Sequence, residues 1–230
     1  MWLLGVDLSW GFRKPSWVCV FTHHKGKTRW TEFFSFVDLT EWERWLSSFT
    51  PCIVAFDAPL QVSVERGLRK AEKELLPYLR KRRLGILPVN REIARCRYPA
   101  LFTFWESIAR YFSFDLAFPQ KARYALEVFP PLSVLGFFGD KGLKLYREKH
   151  FWELGKLFGE STTPFCVENL STCLVACLSS PSGRKDRFDA FLCACTALFA
   201  FLYGEKALRK FGDSTGFIVA PSWSGETEQA

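Results

Sequence analysis

The stretch Lys185-Asp186-Arg187-Phe188-Asp189-Ala190 opens an apolar run that closes near Tyr203. Within it Phe188, Phe191, Leu192, Cys195, Leu198, Phe199 and Leu202 recur at the three-and-four spacing of a buried helical face, which predicts a core helix. Asp186 and Asp189, three apart, project from one side of its first turns, where the helix dipole and unpaired N–H groups favour negative charge. An acidic pair at the mouth of an apolar helix calls for water or a cation. Two readings stand on this stretch alone. In one, Asp186 caps the helix and Asp189 is solvated; in the other, both belong to a cation site completed by acids elsewhere in the chain.

Further acids occur where strands end. Leu3-Leu4-Gly5-Val6-Asp7-Leu8-Ser9 is an apolar run too short for a helix, closed by Asp7 and the turn Ser9-Trp10-Gly11. Trp17 to Phe21 and Trp30 to Val37 supply two more strands around the Lys25-Gly26-Lys27 turn, so the first forty residues predict an antiparallel meander. Leu39 to Phe49 follows at helical spacing, with Thr40 as the expected N-cap and Pro51 beyond its end. Ile53-Val54-Ala55-Phe56-Asp57-Ala58-Pro59 then repeats the first pattern, an apolar strand closed by an acid. A crossover helix between two strands favours parallel pairing, which would bring Asp7 and Asp57 to one edge.

Residues 60–122 read as an inserted segment: a basic helical stretch from Val64 to Arg83, a Gly85-Ile86-Leu87-Pro88 break, and an aromatic helix around Phe102 to Phe112. Tyr124 to Phe129 predicts another short strand that carries Glu127 and stops at Pro130-Pro131. Residues 132–180 read as mainly helical, Ser179 to Gly183 as the loop into the acidic helix, and Thr215 to Ala220 as a last strand. One domain is expected over 1–222, with a frayed tail beyond it at 223–230.

Composition narrows the function classes. A chain of 230 residues with 48% hydrophobic content supports a real core, rich in its 24 Phe and nine Trp. The longest uninterrupted apolar candidate, Phe188 to Tyr203, falls short of the roughly 18 residues of a membrane span and carries Asp189. The opening Met1 to Leu4 runs at once into Gly5-Val6-Asp7 and does not read as a signal peptide, so a cytoplasmic location is expected. The eight cysteines are scattered inside apolar runs without the His or Cys partners of a zinc site, and are expected to be buried free thiols. His23, His24 and His150 read as ordinary surface residues. Charge is unevenly placed: residues 66–97 hold eleven Lys or Arg against three Glu, +8, while the whole chain is +7. One segment therefore carries the entire basic excess, the usual footprint of a polyanionic partner, with a solvated helix face as the competing reading.

Asp7, Asp57, Glu127, Asp186 and Asp189 are thus spread along the chain but candidates for one cluster. Phosphodiester hydrolysis with Mg²⁺ or Mn²⁺ needs such a cluster, because ions about 3.5–4 Å apart must be held by hard oxygen ligands while staying open to water and phosphate. Gly5-Val6-Asp7, Val54-Ala55-Phe56-Asp57-Ala58-Pro59-Leu60, Glu127-Val128-Phe129-Pro130, Asp186 through Ala194 and Gly216 to Pro221, taken in order, resemble the motif series of an uncharacterised family described as predicted ribonuclease H-like nucleases. The resemblance covers nearly the whole chain. It implies an α/β, ribonuclease H-like fold: a mixed five-stranded sheet, three antiparallel strands followed by parallel ones, with helices on both faces and here a helical insertion. It further implies that Asp7, Asp57 and Asp189 bind Mg²⁺ or Mn²⁺, with Asp186 as a fourth catalytic acid. Glu127 has no counterpart in the best-known nucleases and stands as a metal ligand, a buried hydrogen-bonded acid or a substrate contact. The expected partner is DNA or RNA, its phosphates met by Arg66, Arg69, Lys70, Lys73, Arg80, Lys81, Arg82 and Arg83. A non-catalytic interaction module and, last, an actin- or sugar-kinase-like phosphotransferase are the competing classes; the latter needs glycine-rich phosphate loops, and Asp7 to Gly11 supplies one glycine.

Overall fold

Apolar side chains on both faces mark a strand covered on both sides, and β1 (Trp2–Asp7) buries Leu3, Leu4 and Val6 completely. The computed structural model describes residues 1–118, 122–160 and 166–222, so the expected tail at 223–230 lies outside the described residues. β1 pairs antiparallel with β2 (Ser16–His24), which pairs antiparallel with β3 (Lys27–Phe36), completing the expected meander. α1 (Leu39–Leu46) then crosses over to β4 (Cys52–Asp57), which lies parallel to β1. Asp38 rather than Thr40 caps α1, accepting a 2.8 Å bond from the Glu41 backbone N–H.

The segment between β4 and the next strand holds three helices, α2 (Lys70–Lys81), α3 (Arg91–Arg97) and α4 (Ala100–Tyr111). β5 (Arg123–Glu127) pairs parallel with β4. Pro130 and Pro131 start a helix instead of only ending a strand: they occupy the first turn of α5 (Pro130–Arg147), where a missing N–H costs nothing, and the helix bends at Gly139. After α5 come α6 (Phe151–Glu160), β6 (Val167–Glu168), α7 (Leu170–Leu178), α8 (Arg184–Tyr203) and the hairpin of β7 (Leu208–Asp213) and β8 (Gly216–Pro221).

The main sheet has six strands in the order β5-β4-β1-β2-β3-β6, not the five expected. The extra one is the two-residue β6, parallel to the start of β3 and too short to leave a periodic signal. The expected last strand, β8, pairs with β7 in a separate two-stranded sheet and touches the main one through a bridge between Val128 and Val219.

Strand alternation divides the core. Leu3, Ile53 and Ala55 face a cluster containing Phe188, Phe191 and Leu192 of α8, whereas Leu4, Val6, Val54 and Phe56 face Trp42 of α1 and Phe104 and Ile108 of α4. Helices therefore cover both faces, and the aromatic helix of the 60–122 segment is part of the second layer. α2 packs its Ala71, Leu75 and Leu79 against Leu132 and Leu135 of α5 and Phe211 and Ile218 of the hairpin. All eight cysteines are free and six are buried. Among the described residues no helix is long and apolar enough to cross a membrane.

Candidate metal centre

Parallel pairing in register sets Asp7 directly opposite Asp57 at the C-terminal ends of β1 and β4. Counting by twos from Leu3 and from Ile53 puts both acids on the α8 side of the sheet. α8 lies unusually close there, because Gly5 has no side chain: a Cβ on it would stand 2.0 Å from the Ala190 carbonyl oxygen. That approach carries Asp189, one residue before Ala190, to the strand ends. One carboxylate oxygen from each of Asp7, Asp57 and Asp189 lies within 4.8 Å of the others. Asp7 and Asp57 are half-buried, and Asp189 is buried.

The start of α8 is fixed from below. Arg187, buried, donates 2.9 Å and 2.8 Å bonds to the carbonyls of Cys177 and Ser180, and its guanidinium lies over the Trp17 ring. Gly183 takes the left-handed conformation that precedes the helix, with φ of 65°. Asp189 accepts a 2.7 Å bond from the Tyr146 hydroxyl on α5 and another from the Lys185 ammonium four residues back on its own helix. These donors orient one carboxylate; among the described residues the carboxylates of Asp7 and Asp57 have no comparable partner.

Electrostatics report the shortage of positive charge. Burial, reinforced by the charges of Asp189 and Asp186, pushes Asp7 up to about 8. Asp57 is raised well above the usual carboxylate range by burial and by Asp7 and Asp189. Burial also raises Asp189, against the opposing effect of Lys185 and Tyr146. Three converging hard-oxygen donors, with Lys185 on Asp189 and Lys14 further out on Asp186, suit a divalent cation such as Mg²⁺ or Mn²⁺, which would supply further positive charge.

The other expected acids do not join this group. Asp186 sits at its outer rim, 2.9 Å from the Lys14 ammonium, and does not cap α8, whose first residue is preceded by Gly183. Glu127 pairs in register with Phe56, not Asp57, so strand alternation turns it to the opposite face. There its carboxylate accepts bonds of 2.6 Å and 2.9 Å from Arg69 and 2.9 Å from the Leu60 N–H. Of the three roles left open for Glu127, these contacts describe the buried hydrogen-bonded acid.

The basic residues divide as well. Arg69 is buried between Glu127 and Glu72 and is not available to phosphate, a correction to its expected role. Arg66 pairs with Glu92 at 2.9 Å, and Lys70 lies between Glu74 and Asp213 at 3.8 Å and 3.5 Å. Lys73 and Arg80 are exposed on α2. Lys81, Arg82 and Arg83 meet Lys144 and Arg147 of α5 around a cleft of about 410 Å³, where Asp140 pairs with Arg82 at 2.9 Å. Lys144 and Arg147 flank Tyr146, so the last turn of α5 links the basic cleft to the acids. A second cavity, about 540 Å³, opens beside Asp57 between the β1–β2 loop and the α2–α3 loop.

Sequence reasoning did not assign roles to Tyr146, Lys185 or Arg147. Lys185 stands at i−4 from Asp189, the helical ion-pair spacing, and could have been found from it. Tyr146 is 43 residues from its partner and has no local signal.

A family model matches residues 5–215, from the glycine under α8 to the turn before β8. The chain belongs to the family "Protein of unknown function (DUF429)". No curated protein and no solved structure matches it. The matched span contains Asp7, Asp57 and Asp189, so all three acids lie inside the DUF429 region.

Proposed function

We propose that this DUF429 chain is a divalent-metal-dependent nuclease of ribonuclease H-like type, hydrolysing phosphodiester bonds of DNA or RNA. The observation that carries the reading is the convergence of Asp7, Asp57 and Asp189, from two parallel strand ends and one helix, within 4.8 Å. Support comes also from the order of the elements: acids on the first strand, on the fourth strand parallel to it and on a late helix, in a mixed sheet of six strands.

Asp7, Asp57 and Asp189 would hold Mg²⁺ or Mn²⁺. When bound, such an ion would polarise a phosphoryl oxygen and acidify a water, near neutral pH, for attack on phosphorus with departure of the ester oxygen. Tyr146 and Lys185 fix the orientation of Asp189, and Lys185 also offers a cation beside an anionic phosphate. Lys81, Arg83, Lys144 and Arg147 would neutralise phosphates of the same strand further along.

The test is cleavage of labelled single-stranded, duplex, hybrid and branched DNA and RNA with Mn²⁺, with Mg²⁺ and with EDTA. Cleavage that needs the metal is expected on at least one substrate; salt-sensitive binding with no cleavage on any would favour a non-catalytic interaction module instead. Replacing Lys81, Arg83 and Arg147 together by glutamine, leaving Arg82 on Asp140, should weaken binding. It should also flatten the slope of log K against log salt by up to about 2–3, at roughly 0.7–0.9 per lost phosphate contact. A slope equal to that of the native chain would remove the cleft from the nucleic-acid path.

A further inference from the structure

The cavity of about 540 Å³ beside Asp57 lies in the range of roughly 300–1,000 Å³ typical of clefts that enclose small organic groups, and none of the roles above uses it. Its chemistry is graded. At the mouth, on the β1–β2 loop, stand the exposed cations Arg13 and Lys14. The walls are apolar and aromatic, with Trp10, Tyr98, Ile86 and Leu87 among them. At the floor, Arg69 is shared between Glu72 and Glu127, so this end carries no positive excess and would repel phosphate.

Trp10 is held in place for such a wall. Its indole N–H reaches the Asp57 carbonyl at 3.4 Å, and its ring meets Tyr98 edge-on, with centroids 5.6 Å apart. The neighbouring aromatics are committed elsewhere: Trp105 donates a 2.7 Å bond to the Pro59 carbonyl, and Phe102 packs edge-on against Trp105. Leu87, at the rim, is 49% exposed.

We infer that this cavity is a subsite for one unpaired base of the nucleic acid, the nucleotide next to the phosphate held at Asp57, with its base between the apolar walls and its phosphate toward Arg13 and Lys14. The grading excludes the reverse orientation. A planar, uncharged group enters an apolar, aromatic-walled cavity whose floor rejects anions, and the anionic linkage stays between the mouth cations and the acid cluster. A base stacked within a duplex cannot enter a concave site without leaving the stack. The favoured substrate is therefore single-stranded, or a duplex locally opened at an end, branch or mismatch. This inference rests on the nuclease reading for the position of the reacting phosphate, but the pocket itself is tested by binding alone.

The experiment compares, in EDTA and at fixed salt, the affinity for labelled octathymidylate with that for an abasic sugar-phosphate chain of the same length. Stacking on aromatic side chains tightens binding by about fivefold or more per base. The native chain should bind octathymidylate at least about fivefold more tightly than the abasic chain. Trp10→Leu should bring that ratio to within about twofold and leave abasic binding unchanged. If Trp10→Leu melts early, Leu87→Gln at the half-exposed rim provides the same comparison with a smaller decrease. A native ratio below about twofold, no binding of either chain, or a ratio unmoved by either variant overturns the subsite. Cleavage of the DNA and RNA panel with Mn²⁺ separates the two ideas: base preference with no cleavage on any substrate removes the nuclease and keeps the pocket, and cleavage without base preference does the reverse.

Discussion

Gly5→Ala is expected to destabilise the protein by about 3 kcal/mol or more and to lower Tm by roughly 6–12 °C. The added Cβ would stand 2.0 Å from the Ala190 carbonyl oxygen and 2.1 Å from the Ala194 amide nitrogen. Both are backbone atoms of α8, so no side-chain rotation relieves the overlap and the helix must lift from the sheet. α8 packs on β1, β2 and β4 at once and contributes Phe188, Phe191, Leu192 and Leu198 to the larger core cluster. Lifting it therefore loosens contacts well beyond position 5. The same displacement separates Asp189 from Asp7, so stabilisation of the protein by Mg²⁺ should shrink in the variant. Gly85→Ala is the control: nothing lies within 4 Å of where its Cβ would stand and its backbone is not left-handed, so Tm should not fall and should rise by about 4 °C at most. Thermal melts followed by circular dichroism, with and without Mg²⁺, measure both. A Gly5→Ala protein melting with the native one would mean that α8 does not sit on β1 as described.

That dependence explains why the acidic site was readable from the chain while its surroundings were not. Asp7 and Asp57 end apolar runs whose two-residue alternation fixes their side of the sheet, and the intervening helix fixes the strands as parallel. Asp189 lies on a helix announced by its long apolar run, which the structure buries on every side from Arg187 to Leu198. Each position follows from local pattern plus one topological rule. Glu127 ends a similar run, but its register against β4 is one residue short of Asp57, and a shift of one residue reverses the face.

Charge counts misled in a comparable way at Arg69. The sequence displays eleven cations in 66–97 and does not say which of them is pulled inward by Glu72 and by Glu127, the latter 58 residues away. β7 escaped notice because Arg209, Lys210 and Gly212 break its alternation; the structure recovers the cost by pairing it with β8 and packing Phe211 against α2. Asp38 displaced Thr40 as a cap, a two-residue error within the ordinary uncertainty of helix ends.

Asp7→Asn should abolish metal-dependent cleavage, by at least about a thousandfold given the several kcal/mol of transition-state charge stabilisation a bound metal supplies, while making the metal-free protein more stable. The opposition of these effects separates a functional acid from a structural one. In the folded chain Asp7 is pushed up to about 8 by burial and by Asp189 and Asp186, whereas in the unfolded chain it titrates near ~3.9. Between these values the folded state holds a proton that the unfolded state has released. Stability is thus fully present below about pH 4 and is lost progressively as pH rises toward 8. Asparagine does not ionise, so the Tm advantage of the variant over the native protein should grow between pH 5 and 8 in EDTA. Metal acts in the opposite direction, because it binds the ionised carboxylates and not the protonated ones. The Tm gain of the native protein with Mg²⁺ should therefore rise over the same pH interval, and Asp7→Asn should show little gain at any pH. A variant that melts earlier than the native chain in EDTA and still responds to Mg²⁺ would make Asp7 a structural acid and place any metal elsewhere.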